Sequence, residues 1–419
     1  MQFKFLKNTL KTICKMKFLL SIALSLCFLL NLHINIAIAK DESTESVLRK
    51  FKLMQNTSKQ NADDVTKIKK SNLTRNKIQD LLNSAKDSNQ PINIVESLGQ
   101  NLSGLNLSGL DFSNTIMYHA NFSGSNLDDC IFRDTFLEGA NFSNTSLKRA
   151  TFINANISRS NFTKANLTNS RLSKIYAKNS IFALTNFENA KIFASNFSNS
   201  HFNNCNLDKS KIVSSKFNYS LFEDIKITNV FWDLNFFSSS KFNKINITNS
   251  NLKAIDWDNS EFTEAIFQDS IIFASNFQNA KLSNVTFNQI NAKAINFSEA
   301  KLSKIIFNKS NMNYALFQDS EIFECIMMLC DLSSSNFRRV KLTNFNFYSG
   351  NLRNSTFYQA IINKSKIINS YLSGINFSKS NLINVSINDS NLSYANFRMT
   401  KIDNFNSQNN FIKKVLVNE

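Results

Sequence analysis

From residue 102 to residue 402 every fifth position is apolar, with no insertion or deletion, which makes 61 consecutive five-residue units. The central residues are 26 Phe, 17 Leu, 11 Ile, three Met, two Trp and two Ala. Two residues before each of them, from position 100 to position 400, a Ser, Ala, Thr, Cys or Gly fills 44 of 61 places. A helix would return apolar residues every 3.6 positions and a half-exposed strand every two. A recurrence of five, kept over three hundred residues, fits a solenoid in which each unit forms one short side of a coil. One Pro and seven Gly in 419 residues are too few for a sandwich or barrel with many tight turns. Each unit buries one large side chain, worth about 1.5–3 kcal/mol, while ordering five residues costs about 7.5 kcal/mol. No unit is stable alone, so ladder hydrogen bonds to the coils above and below must close the gap.

A longer period of twenty lies within the central positions. One column runs Phe122, Phe142, Phe162, Phe182, Phe202, Phe222, Phe242 and Phe262, then continues as aliphatic residues from Leu282 to Ile402. A second runs Phe197, Phe217, Phe237, Trp257, Phe277, Phe297, Phe317, Phe337, Phe357, Phe377 and Phe397. Four units per turn therefore predict about fifteen coils, a rod roughly 73 Å long at ~4.8 Å per coil, with rings in offset stacks. Both residue types of a unit point inward and share a fixed volume: Ile175 and Ile290 precede the undersized Ala177 and Ala292. Asn235 and Phe345, both in the small position, do not follow this rule.

The units Ala120-Asn121-Phe122-Ser123-Gly124, Ala140-Asn141-Phe142-Ser143-Asn144 and Ala165-Asn166-Leu167-Thr168-Asn169 resemble the pentapeptide repeat family, whose pattern is Ala, Asp or Asn, Leu or Phe, and two polar residues. The likeness covers 301 of 419 residues. It implies an all-β solenoid, a right-handed quadrilateral parallel β-helix with a turn at each corner. Family members differ in function, so the resemblance specifies fold more sharply than task. This chain departs from the pattern in preferring Asn to Asp and in its heavy use of Phe.

The amino terminus reads as a signal peptide. Lys4, Lys7, Lys11, Lys15 and Lys17 precede an apolar run from Phe18 to Leu30, and Ala37-Ile38-Ala39 supplies small residues before the charged stretch at Lys40. Cleavage after Ala39 is expected. The alternative is an uncleaved anchor in the inner membrane through residues 18–39, the only way in which a membrane enters as partner. Both place everything after residue 40 outside the cytoplasm, periplasmic or secreted. Cleavage removes five Lys and no acid, leaving a net charge of +12. Residues 40–100 read as a polar helical cap or linker, with Leu73, Ile78, Leu81 and Leu82 on a segment from Asn72 to Lys86 that Pro91 ends. Residues 101–405 are the repeat, and 406–419 a polar tail or cap.

The chain offers little chemistry. Cys130, Cys205, Cys325 and Cys330 all occupy the small inward position and read as buried free thiols. His119 and His201 stand apart from them, so no metal or cofactor is expected. The 22 acids of residues 101–405 are scattered among 30 bases without a cluster. An outward column of Lys241, Glu261, Lys281, Lys301, Glu321 and Lys341 reads as a solvated ladder. Asn-x-Ser triplets such as Asn121-Phe122-Ser123 arise from the repeat itself. The spread of charge, with no Arg cluster and no aromatic stripe outside the core, argues against nucleic acid. No small-molecule substrate is evident. The sequence reads as an exported, non-enzymatic rod that binds a protein or an envelope surface, with exposed coil edges open to end or face stacking. Three other readings carry less: a topoisomerase-inhibiting DNA mimic, opposed by the basic charge and export; an effector delivered to another cell; and a polysaccharide-active enzyme, which would need clustered carboxylates.

Overall fold

The computed structural model describes residues 75–88 and 91–417. The expected signal peptide, with Ala37 and Ala39, and most of the polar segment from residue 40 lie outside the described residues. From Asn101 onward each coil pairs in parallel with the coil twenty residues later, beginning at Asn101↔Asn121 and ending at Asn396↔Leu416. Phe242, for example, sits between Phe222 and Phe262. The result is a parallel β-solenoid of about 16 turns. Its four walls are numbered one to four by the central columns that contain Phe122, Leu127, Phe132 and Leu137.

Strands are short because each wall holds a single unit. Three-residue strands such as Lys211–Val213 are typical, and only Leu221–Thr228, Lys241–Thr248, Asn381–Asn388 and Lys401–Gln408 run on through a corner. The corners explain how a chain so poor in glycine turns every five residues. The second residue after each central one adopts positive φ, as in Asn114 at 57°, Lys164 at 60° and Tyr314 at 62°. That region costs an ordinary L-residue about 1–2 kcal/mol, less for Asn or Asp. Intercoil bonds offset the cost, since the Lys164 amide itself donates to the Ala183 carbonyl at 2.9 Å. The Asn before the central residue also contributes. Asn121, Asn141 and Asn156 each accept the amide two residues on, at 3.0–3.1 Å, which fastens the next corner.

Inside, the rings stack in the files that the twenty-residue period predicts. Centroids along wall one lie 4.4–5.2 Å apart from Phe122 to Phe262. Along wall four they lie 4.5–6.2 Å apart from Phe197 to Phe397, the widest at Trp257. Neighbouring files meet edge to face, as Phe222 meets Phe237 at 5.5 Å and 65°. All these central residues are buried except Phe397, which is only partly covered because it has one full coil beside it rather than two.

The small inward position does more than make room. Serines there form hydrogen-bonded files: the Ser200 amide donates to Ser220 Oγ at 3.1 Å, and Ser220 Oγ donates to the Phe197 carbonyl at 3.0 Å. Asn235 now has an explanation. Fully buried, it takes the serine's part with longer reach: its Oδ1 accepts the Ser215 amide at 2.9 Å and its Nδ2 donates to the Ile212 carbonyl at 2.8 Å. Phe345 is also accommodated. Its ring lies 6.5 Å from Phe347, and the next small position is Gly350, where a Cβ would enter the Phe347 ring and stand 2.7 Å from the Cys330 carbonyl oxygen.

The two ends differ. At the amino end helix α1 (Arg75–Ser88) buries Ile78 and Leu82, and helix α2 (Ile94–Leu98) buries Ile94. Asn93 caps α2 by accepting the Glu96 amide at 3.0 Å. Strand β1 (Ile92–Asn93) pairs with β2 (Thr115–Ile116), joining this segment to the first coil. At the other end, residues 406–417 are not a free tail: they continue the coil, with Asn391 opposite Phe411 and Asn396 opposite Leu416. The repeat's hydrogen-bond register persists there although Ser407 interrupts its apolar series. Ile402, Ile412 and Val417 in this last coil are exposed.

Candidate functional site

The thiols come first, being the most nucleophilic groups in the described core. Cys130, Cys205, Cys325 and Cys330 are buried and unpaired with one another. Each occupies a serine's place in the file and donates to the carbonyl 23 residues earlier, as Cys130 does to Leu107 at 3.1 Å and Cys205 to Phe182 at 2.6 Å. Burial pushes the first three thiols up to about 12 and Cys330 up to about 11. They are protonated and shielded, unsuited to nucleophilic or ligand work. His119 covers Gly139 one coil on, where the missing Cβ leaves room for its imidazole, and His201 lies on an outward strand edge. Among the described residues no three His, Cys, Asp or Glu side chains are placed to hold a metal ion.

Charge on the walls is arranged in coil-to-coil pairs. On wall one, Glu261 meets Lys241 at 3.6 Å and Lys281 at 3.1 Å, and Glu321 meets Lys301 at 3.7 Å and Lys341 at 2.9 Å. The hydrogen bond from Lys281 holds the Glu261 carboxyl below its ordinary range, and that from Lys341 does the same for Glu321. Arg149 grips Asp129 with two bonds of 2.7 Å and Arg339 grips Asp319 with two of 2.6 Å, so both carboxyls are lowered too. These pairs are solvated and add little stability each. Asp233, partly buried on wall three, moves the other way because desolvation outweighs the attraction of Lys253.

One feature was missed in the sequence. The expectation of no Arg cluster and no outward aromatic stripe is corrected by walls three and four. There the Arg338 guanidinium lies 4.9 Å from the Tyr358 ring centre and Lys379 Nζ 5.6 Å from the same ring. Arg353 lies 4.7 Å from the Tyr371 ring centre, and Lys293 sits 5.4 Å from that of Tyr314. Tyr371 and Tyr394 are about half exposed, at 54% and 50%. These residues are scattered in the chain and meet only through the coil register. Sorting the outward positions by twenty would have exposed them, since Arg338, Tyr358 and Arg398 share one column.

The five-residue repeat has counterparts in known proteins. A family model described as a pentapeptide repeat region matches residues 105–182, and one for pentapeptide repeats matches residues 275–320 and 370–406. No curated protein matches the chain. Among solved structures, a trypsin-treated form of QnrB1, a plasmid-mediated fluoroquinolone resistance protein, is 14% identical, with 49% of this chain and 91% of that one covered and a TM-score of 0.36. HetL, a pentapeptide repeat protein involved in heterocyst differentiation regulation from Nostoc sp. strain PCC 7120, is 12% identical over 73% of this chain and 94% of its own, with a TM-score of 0.23. A pentapeptide repeat protein from the Arabidopsis thaliana thylakoid lumen is 35% identical over 22% of this chain and 62% of its own, with a TM-score of 0.14.

Proposed function

Since this chain belongs to the pentapeptide repeat family, we propose that it is an exported, non-enzymatic rod that works as a binding or structural module at the cell envelope or outside the cell. The coil fold fits a structural or binding module. The observation that carries the reading is the way the shaft uses its polar groups. Backbone bonds run from coil to coil, and the inward Ser, Thr, Cys and Asn side chains bond to core carbonyls and amides. The outward residues stand in straight files at coil spacing on flat walls. Such walls are suited to display, because every outward side chain is fixed relative to those twenty residues away. Export is supported by the lysines before the apolar run and by Ala37 and Ala39.

The test is the intact mass and cellular fraction of the native protein, followed by capture from envelope fractions. A mature chain beginning at Lys40 outside the cytoplasm, retaining an envelope component, is the expected result. A cytoplasmic chain that keeps its first 39 residues would overturn the export half. A mature chain that retains nothing, with envelope integrity unchanged on deletion, would overturn the module half.

A further inference from the structure

Walls three and four change character along the shaft. Over residues 251–331 their outward positions carry Asp256, Asp258, Glu299, Asp319 and Asp331 against Lys253 and Lys293. Over residues 332–417 the same two walls carry seven bases and no acid. The bases are Arg338, Arg339, Arg353, Lys379, Arg398 and the Lys413–Lys414 pair. The two acids of that stretch, Asp389 and Asp403, lie on walls two and one. Asp319, one coil earlier, pairs with Arg339 and lies within electrostatic reach of Arg338.

We propose that this basic stretch of walls three and four, residues 332–417, is a binding surface for an acidic polysaccharide laid along the shaft. Charge complementarity comes first: a wall with bases and no acids over about five coils attracts a polymer with anions at regular intervals. The form of the cations comes second. Tyr358 and Tyr371 hold the guanidinium groups of Arg338 and Arg353 over their rings, which fixes long side chains that would otherwise lose rotamer freedom on binding. An Arg presents its donors as a flat fork that matches a carboxylate or sulfate. The polar rows between the cations come third: Ser333, Asn336, Asn354, Thr356, Asn376 and Asn396 line them, several already bonded within the walls, as Asn336 Nδ2 is to Gln318 and Asn376 Nδ2 to Thr356 Oγ1, which makes a pre-ordered polar ground suited to a hydroxyl-rich chain.

Other occupants fit less well. Single-stranded nucleic acid binds by stacking bases on a run of open aromatic faces; cations already lie over Tyr358 and Tyr371, which leaves Tyr394 and Phe411 as the exposed rings of wall three in this stretch. A bilayer calls for apolar side chains among the cations, whereas the rows from 333 to 398 are mainly Asn, Ser and Thr and the exposed apolar Met399, Phe411, Ile412, Leu416 and Val417 gather at the carboxyl-terminal end of the stretch. A second copy could offer the acidic stretch 251–331, yet those acids are engaged within their own walls. Asp256 accepts from Ser238 and Asn276, and Asp331 accepts from Asn313 and the Ser333 amide. The assignment deepens the binding-module reading and rests on it, but is independent of export.

The experiment titrates the full chain against polygalacturonate, with neutral dextran, a single-stranded oligonucleotide and anionic phospholipid vesicles as comparators and sedimentation to detect self-association. The triple variant R353E/K379E/R398E alters exposed side chains on these walls. The control K304E/K364E/K366E makes the same charge change on walls one and two. Expected are a loss of about tenfold or more in polygalacturonate affinity for the first and no more than about twofold for the control, with no binding of dextran and weakening by salt. Tyr358→Phe, which keeps the ring, should bind as the native chain does, and Tyr358→Ala should lose several-fold. Equal losses in the two triple variants would overturn the assignment, as would tighter binding of oligonucleotide or vesicles, or a concentration-dependent dimer that polygalacturonate does not dissociate. Should the first triple variant fail to fold by circular dichroism, the Tyr358 pair decides. A chain that binds polygalacturonate but stays in the cytoplasm refutes export alone, and one that is exported and captures only protein refutes this assignment alone.

Discussion

Asn235 separates the two jobs of the small inward position, filling volume and carrying hydrogen bonds. It is fully buried, accepts the Ser215 amide at 2.9 Å and donates to the Ile212 carbonyl at 2.8 Å. Asn235→Leu keeps the size and gains apolar surface but strands both backbone groups, at about 1–3 kcal/mol each, or roughly 2–6 kcal/mol in all. Asn235→Ser leaves a small void, at a cost of about 1 kcal/mol, and restores the pattern of Ser220, whose hydroxyl accepts one amide and donates to one carbonyl. If hydrogen bonding governs, the serine variant is the more stable by about 1–5 kcal/mol despite its smaller buried area. Urea denaturation with midpoints and slopes compared across variants measures the order, and slopes must match because long repeat arrays can lose two-state behaviour. Hydrogen exchange at the Ser215 amide reads the bond directly, and should accelerate in Asn235→Leu but not in Asn235→Ser. A leucine variant as stable as the serine one would refute the reasoning and return the small position to volume alone.

Three further outcomes follow from the same geometry. Phe217 is buried between rings at 5.0 and 4.9 Å, so Phe217→Ala should cost about 3–5 kcal/mol, whereas Phe397→Ala, partly covered and with one stacked ring at 5.2 Å, should cost less than half as much; denaturant midpoints distinguish them. The four buried thiols, held at about 11 to 12, should be silent to a thiol-specific colorimetric reagent at pH 8 in the native chain and react once guanidinium unfolds it. Asp129, Asp319, Glu261 and Glu321 have lowered folded pKa values, so their contribution is present above the ordinary values of 3.8 and 4.5 and is lost as pH falls below them. The melting temperature should therefore be level from neutrality down to that range and decline below it, shallowly because the pairs are solvated and less so in high salt, which a series of thermal melts checks.

The parts of this fold that were legible in the sequence are those that repetition makes redundant. The twenty-residue circuit is written in every aromatic column, so a single exception such as Ala177 does not obscure it. What was not legible depends on single pairings between coils. Phe345 reads as an error until Gly350 is seen to leave space for the Phe347 ring. Asn235 reads as a polar intruder until the serine file is known to bond as well as to fit. The continuation past residue 405 was hidden because Ser407 interrupts the apolar series, although Ile412 and Val417 resume it and the backbone register holds.

The basic surface was hidden for a different reason. Charge summed along the chain mixes four walls that never face the same partner, and the 30 bases and 22 acids of residues 101–405 look evenly spread when counted that way. In a coil of fixed register the meaningful neighbours of a residue are those twenty away, not those beside it. Arg338 and Tyr358 meet on that rule, as do Arg149 and Asp129 or Lys341 and Glu321. The interior demands only an apolar residue and a compatible small partner, leaving three outward positions per unit free of the core. A shaft built this way can change its surface wall by wall without altering its fold, which is why family membership specifies the architecture here while the outward columns carry what distinguishes this chain.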